Sequence, residues 1–487
     1  MSRLDEGTAG ALPASVARPL YDRRAARTGV VHLGLGAFHK AHQAVFYEAA
    51  LNSGDPRWGV LGASLRSPGV RDQLAPQDNL YTVTVRDGAD ASTQLIGALR
   101  GVLVAPEDPA ALVAAMAAVD THLVTLTVTE KGYKLDPSTG ALIQADPDLA
   151  ADLAALDRPR TAPGLIVAAL ARRRAAGLKP FTTISCDNLP HNGRRLRDAV
   201  LALAAHHDPA LRDWIDAKGA FPETMVDRIV PATEDADIAA LAARIGVADR
   251  AMVKTEPFTQ WVVENRFAGE RPDLAAFGVQ LTDSVAPWED AKLRLLNGAH
   301  SGIAYLGGLA GIEYVHQFVA LPAGRGFVEA LWDEAAGTLS PPLGLDVPAY
   351  RAALMGRFVN SALNHRTRQI AMDGSQKLPQ RLLATIAARL KQGQEIDALA
   401  LAVAAWMRWQ EGRDDCGAAF VVDDPLATRT AAVARLPAAD AVAGLLAIDA
   451  IFPPALAAHD GLRAMLVQSL ATLREKGARG TVEQRFG

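Results

Sequence analysis

Four polar residues at helical spacing, Glu289, Lys292, Asn297 and His300, give this sequence its clearest chemical signal. On a helix that advances about 100° per residue, Asn297 lies about 140° and His300 about 80° around from Lys292, with Glu289 about 60° away. All four then fit on one half of the circumference. A carbonyl–alcohol redox step transfers a hydride and also moves a proton to or from the oxygen. A lysine can serve that proton if burial or a neighbouring cation lowers its pKa towards ~7–8. Asparagine NH2 groups can stabilise the developing alkoxide as neutral donors. The same spacing also describes an ordinary solvated helix face.

Three further segments carry polar residues where chemistry could use them. Gly34-Leu35-Gly36-Ala37-Phe38-His39 follows the apolar run Val30–Leu33. Glycines there would let the backbone turn tightly and approach a pyrophosphate at a helix N-terminus, although His39 stands where the usual third glycine would be. Ser185-Cys186-Asp187-Asn188-Leu189-Pro190-His191-Asn192-Gly193 follows another apolar run, and Asn188 could supply a second neutral donor opposite Asn297. Such a composition also makes plain turns. Cys186 and His191 lack the spacing of a zinc site, so no metal is expected. The run His365-Arg366-Thr367-Arg368, then Asp373-Gly374-Ser375-Gln376-Lys377 and Arg381, gathers cations beside a Gly-Ser turn. These would suit a carboxylate or several hydroxyls, or else mark an exposed helix end.

Elements able to position these groups are legible in the patterning. Apolar runs at Val30–Leu33, Trp58–Leu65, Leu123–Val128 and Phe181–Ser185 alternate with Ala-rich helical stretches at 109–118 and 164–176. That alternation predicts an α/β domain with a mostly parallel, doubly wound sheet over 1–285. Residues 1–28 read as an irregular lead-in and Asn265–Asp283 as a connection. Helical periodicity at 289–309, 326–337, 348–363, 380–391 and 396–411 predicts a mostly α-helical second domain over 286–487. A chain of 487 residues is long for one core, which agrees with two domains. Net charge −4 with no basic stripe argues against nucleic acid as partner, and no apolar run of membrane-spanning length is present. Two cysteines and no signal-like N-terminus point to a soluble, cytoplasmic protein.

Together these segments resemble the polyol-specific long-chain dehydrogenase/reductase family. The matching pieces are Val31–Gln43, Thr127–Tyr133, Ser185–Gly193, Met225–Pro231, Lys292–Ser301 and Asp373–Pro379, in an order and spacing that span nearly the whole chain. The resemblance implies an N-terminal Rossmann-type domain, a helical C-terminal domain, the substrate between them, no zinc, and a monomer. It also implies roles: Lys292 as acid/base, Asn188 and Asn297 as oxyanion donors, His300 as a substrate-positioning group, and Glu289 as the lysine's link to solvent. Asp227 and Lys377 would touch substrate, and Gly34, Gly36, Ala37, Phe38 and Glu130 the cofactor.

Two departures bear on specificity. The stretch after the second strand, Ser64-Leu65-Arg66-Ser67-Pro68, lacks the carboxylate that binds a ribose 2′-OH in some relatives. Arg66 could instead meet a 2′-phosphate, so the expected cofactor is NAD, with NADP open. Gln369 stands where mannitol-type relatives have an arginine, and Arg368–Arg381 looks more like fructuronate reductases, apart from Arg368 itself. The expected substrate is therefore a sugar acid held by Arg366, Arg381 and Lys377: fructuronate and mannonate first, mannitol and fructose or another polyol second. A Rossmann-type binder without turnover is the alternative of another class; Lys292 with Asn188 and Asn297 speaks against it.

Overall fold

Each short apolar run of the first half becomes a strand flanked by helices whose starts are written in the sequence. In the computed structural model, which describes residues 2–487, strands β1 (Thr28–Leu33), β2 (Gly59–Ser64), β3 (Leu99–Val104), β4 (Leu123–Leu126) and β5 (Thr182–Ser185) form one parallel sheet. Their spatial order is β3-β2-β1-β4-β5. Asp108 caps the helix Pro109–Ala117 by accepting from the Ala111 N–H, and Thr161 caps Ala162–Ala175 through the Gly164 N–H. In both, proline near the start costs nothing, because that N–H has no helical partner. β4 and β5 are buried at every position, as parallel strands covered on both faces must be.

Contacts divide the chain into a first unit ending at Val285 and a second, Ala286–Gly487. The first unit holds more than the alternating pattern anticipated. A four-stranded sheet contains the hairpin Tyr81–Asp87 with Asp90–Ile96, flanked by Val16–Ala17 and Val253–Thr255. A three-stranded sheet joins Thr224–Asp227, Gln260–Glu264 and Gln280–Thr282. Two expectations are corrected here. The lead-in is part of the core, with Leu4, Leu12 and Val16 buried. Residues 265–283 are no linker, because Gln280–Thr282 pairs with Val262–Glu264 and Leu274 is fully buried. The second unit is helical, built around Gly298–Leu309 and the buried helix Asp397–Trp409, against which the C-terminal helix Asp460–Phe486 packs.

In each unit a buried glutamate serves as a backbone staple. Glu48 accepts from the N–H groups of Gly97 and Ala98 and from the Tyr21 hydroxyl, and Glu334 accepts from the N–H groups of Ala398 and Leu399 at the start of a helix. Burial outweighs those bonds and pushes both carboxyls up to about 7. Between about pH 4.5 and 7 the folded chain then holds protons that the unfolded chain has released, so the stability these groups contribute falls as pH rises through that window. The double variant Glu48→Gln/Glu334→Gln should accordingly gain on the wild type from pH 4.5 to 7. Urea unfolding at stepped pH checks this, and parallel stability–pH curves would refute it.

Candidate active site

In an open parallel sheet, ligands lie beyond the carboxyl ends of the strands where the strand order reverses, here between β1 and β4. Backbone from both strands closes around that point. Gly34 follows β1 at φ +87°, and a Cβ there would sit 2.2 Å from the Thr127 carbonyl oxygen, so only glycine fits. The Thr127 hydroxyl donates to the Gly34 carbonyl at 3.0 Å. A Cβ at Gly36 would make only an ordinary contact with the Gly34 carbonyl oxygen at 3.8 Å, and a short helix, Ala37–Ala41, starts directly after it without a side-chain cap. That is a cradle with room and free N–H groups for a pyrophosphate, and the residues present fit a dinucleotide.

His39, in the third glycine's place, is fully buried and stacks on His32 with ring centroids 3.6 Å apart. His32 lies between the hydroxyls of Thr125 and Thr127, at 2.8 and 3.0 Å. Burial holds both rings well below the usual histidine range, so they are neutral spacers between strand and helix.

Behind Asn188 the loop is pinned by two neighbours. The buried Asp187 carboxylate accepts from the N–H groups of Val128 and Thr129 and from the Tyr133 hydroxyl. Those bonds hold Thr129 at φ +67°, ψ 169°, a conformation costly for anything but glycine. Asn192, also buried, donates to the carbonyls of Asp187 and Thr224 and accepts from the Thr224 N–H. Asn188 itself is exposed, and Asp227 is buried at the end of its strand. Glu130 is exposed and pairs with Arg195, while Arg66 is exposed beyond the end of β2. Asp187, Tyr133 and Asn192 were not singled out by sequence reasoning; polar residues inside an otherwise buried run were the available signal.

In the second unit the spacing argument needs correction. Lys292–Asn297 is a π-helix between the α-helices Ala286–Ala291 and Gly298–Leu309, so the angles reckoned at 100° per residue do not hold across it. Closing by i→i+5 bonds stacks Lys292 over Asn297, which brings the amine and the amide closer to one side than an α-helix would. The wider turn is compensated locally. The Trp332 indole donates to the Leu295 carbonyl at 2.8 Å, and the Gly298 N–H reaches the Leu293 carbonyl. A second π-helix, Pro379–Leu383, leans on the first, and the Arg381 carbonyl lies 3.0 Å from where a Gly298 Cβ would be. Nor is this a solvated face: Lys292 is 7% and His300 8% exposed.

His300 packs edge-on against His365 and at a 45° tilt against Phe358, with ring centroids 4.9 Å apart in each case. Burial, then His365, Arg357 and Arg381, hold its ring well below the usual histidine range. Arg381 donates to the Ser301 hydroxyl at 3.3 Å. Lys377 is lowered by burial and by Arg381, and its ammonium donates to the Met372 carbonyl. Glu289 is half-buried, one turn before Lys292. Arg366 is not brought to this cluster. It lies in an extended stretch paired with Tyr314, where successive side chains point opposite ways. His365 therefore goes in, while Arg366 goes out over the Tyr314 ring to Glu313 at 3.2 Å. Arg368 stacks on Phe420. Among the described residues, no group of three His, Cys, Asp or Glu side chains could hold a metal, and no helix is long and apolar enough to cross a membrane.

A sheet of this order with a glycine turn at its switch point, followed by a helical unit that buries a lysine beside an amide, is the build of an NAD-dependent dehydrogenase. The profile described as Mannitol dehydrogenase Rossmann domain matches residues 28–276, and that described as Mannitol dehydrogenase C-terminal domain matches 284–474. The chain belongs to the mannitol dehydrogenase family. It is 42% identical to the D-mannonate oxidoreductase of Escherichia coli strain K12 over 96% of this chain and 97% of that one. To the mannitol 2-dehydrogenase of Phaeosphaeria nodorum it is 40% identical over 96% and 83%. The Pseudomonas fluorescens mannitol 2-dehydrogenase, solved with NAD and D-mannitol, superposes with a TM-score of 0.82 at 37% identity, covering 99% of both chains.

Trp332→Phe should leave the Leu295 carbonyl with the Gly298 N–H as its remaining donor and destabilise the chain by about 0.5–1.5 kcal/mol. Urea denaturation reads this directly, and an unchanged midpoint would mean that the π-turn does not need the indole.

Proposed function

We propose that the chain interconverts D-mannonate and D-fructuronate with NAD, Lys292 exchanging the proton of the reacting oxygen. In the oxidation, the substrate C–OH loses its hydride to the nicotinamide and its proton to the Lys292 amine. Asn297, stacked on Lys292 by the π-turn, and Asn188 in the first unit donate to the oxygen as it becomes negative. Neutral donors suit this task, since they hold an alkoxide without giving it a proton. Glu289 passes the lysine's proton on to solvent. His300, kept neutral by its surroundings, hydrogen-bonds a substrate hydroxyl, and Asp227 and Lys377 hold the rest of the polyol chain. Gly34, Gly36, Ala37 and Phe38 form the pyrophosphate turn, with Glu130 beside it.

The observation that carries the choice of a sugar acid is Arg381. Its guanidinium reaches Ser301, next to His300, and helps to depress both His300 and Lys377, so negative charge is favoured beside His300, while Lys377 also has Asp373 at 3.9 Å. A carboxylate entering a closed site must shed water, and charge-assisted partners offset that loss. Of the sequence-derived cations, Arg381 and Lys377 stay in this reading; Arg366, exposed and paired with Glu313, does not. Mannitol–fructose interconversion is the second reading, favoured by the likeness to the Pseudomonas fluorescens enzyme.

Two measurements test the proposal. Lys292→Ala should lower kcat by about two to four orders of magnitude, the usual worth of a positioned acid/base. Its NADH affinity, read by fluorescence titration, should hardly change, because the glycine turn belongs to the other unit; near-normal turnover at all pH values would remove Lys292 from the mechanism. Mannonate should exceed mannitol by on the order of 10²-fold in kcat/KM, with Arg381→Ala erasing most of that margin. Efficient mannitol oxidation without mannonate activity would establish the second reading.

A further inference from the structure

A second depression in the first unit, of about 390 Å³, opens beyond the ends of β2 and β3. Its near wall is apolar, made by Leu65 just past β2 and by Ala105 and Pro106 just past β3. Its far wall is the segment Arg158-Pro159-Arg160, between the helices Pro147–Ala154 and Ala162–Ala175. That segment is fixed from beneath. Asp152, fully buried, accepts from the N–H of Arg160 at 2.7 Å, the N–H of Thr161 at 2.9 Å and the Thr161 hydroxyl at 2.6 Å. Pro159 is buried as well, so rigid backbone presents two exposed arginine side chains to the cleft.

Charges of both signs surround the cleft, with the exposed Glu107, Asp108 and Asp157 adjoining its lining residues. Arg158 and Arg160 line it, and the exposed Arg66 follows Leu65. One carboxylate, Asp148, shares the lining; it lies 3.9 Å from Arg160 with both side chains more than half exposed, a pairing too weak and too wet to neutralise the guanidinium. The end of β2 carries no acid to bind a bare ribose. An apolar wall facing anchored guanidiniums, at strand ends of the sheet that also carries the glycine turn, has the chemistry of a purine carrying an additional phosphate.

We propose that this cleft takes the adenosine end of the dinucleotide, and that Arg158 and Arg160 bind a phosphate on its 2′-oxygen. The chain then binds the phosphorylated cofactor as well as NAD. This rests on the dinucleotide reading of the glycine turn but goes beyond it, because Arg66 is no longer the sole recognition element and the discriminating wall comes from a loop distant in sequence.

Equilibrium binding of adenosine fragments tests the wall without any turnover. In calorimetric titrations of the intact protein, 2′,5′-ADP should bind at least tenfold more tightly than 5′-AMP, and the margin should shrink steeply with added salt. Arg158→Ala/Arg160→Ala should bring the ratio close to one while 5′-AMP affinity stays within about twofold. The single variant Arg158→Glu, which leaves the Asp152 staple untouched, should favour 5′-AMP. Equal binding of the two fragments by the wild type, or a margin that survives in the double variant, overturns the proposal. NADH titration separates the two levels: NADH binding without a phosphate effect sinks only the arginine wall, whereas no NADH binding sinks the dinucleotide reading itself.

Discussion

Charge taken out of water must be met by charge or be given up, and the helical unit is organised around that constraint. His300, Lys377 and Arg381 are removed from solvent, and Arg381 makes both of the others harder to keep positive. The protein responds by leaving the imidazoles neutral and letting the ammonium and guanidinium lean on a carbonyl and a hydroxyl. Asp373, 3.9 Å from the Lys377 ammonium, offsets part of that positive charge. Under the sugar-acid proposal, a ligand carboxylate would meet what remains at Arg381, in the way a preorganised site stabilises charge that arrives later.

The first unit meets a different demand, close approach. Its crevice needs backbone from two strands to come nearer than a side chain permits, and Gly34 against Thr127 meets that need. Everything around the contact keeps it from relaxing: the Thr127 hydroxyl on the Gly34 carbonyl, His32 held between two threonines, and the stacked His39 filling the gap towards the helix. Asp187 extends the same rigidity to Thr129, whose backbone would otherwise leave its strained conformation. Rigid loops on rigid strands are what hydride transfer between two bound molecules requires, since small displacements cost rate steeply.

Much of this was legible in the sequence because periodicity reports burial. Four of the five parallel strands, the helical second half and the glycine turn follow from the patterning, whereas the edge strand Leu99–Val104 was missed. The π-turn at Lys292–Asn297 was not legible: its residues have ordinary helical preferences, and the groups that accompany the wider turn, Trp332 and the second π-turn, are distant in sequence. Arg366 misled for a related reason. Composition gathers His365, Arg366 and Arg368 into one cationic run, but alternation along an extended backbone sends neighbours to opposite sides. The small sheets of the first unit escaped notice because strands such as Val16–Ala17 and Val253–Thr255 are too short to show a period. Asp187 and Asn192 read as turn formers, and they are; that the turn they build stands behind Asn188 is visible only in three dimensions.

The paired π-turns also bear on how this chain can change over evolutionary time. A π-turn holds one residue more than the α-helical turn it replaces, so a single-codon deletion between Lys292 and Asn297 would heal the helix rather than break it. Because the turn itself absorbs the extra residue, the healed helix would leave His300 and Ser301 nearly in phase and would change instead how Lys292 and Asn297 face one another. Because Gly298 abuts the carbonyl of Arg381 in the other π-turn, neither turn can be regularised without shifting its neighbour. Length variation should therefore be silent in the exposed loops of this unit and forbidden across these two short stretches, a pattern of tolerated and purged indels that owes nothing to how hydrophobic the residues are.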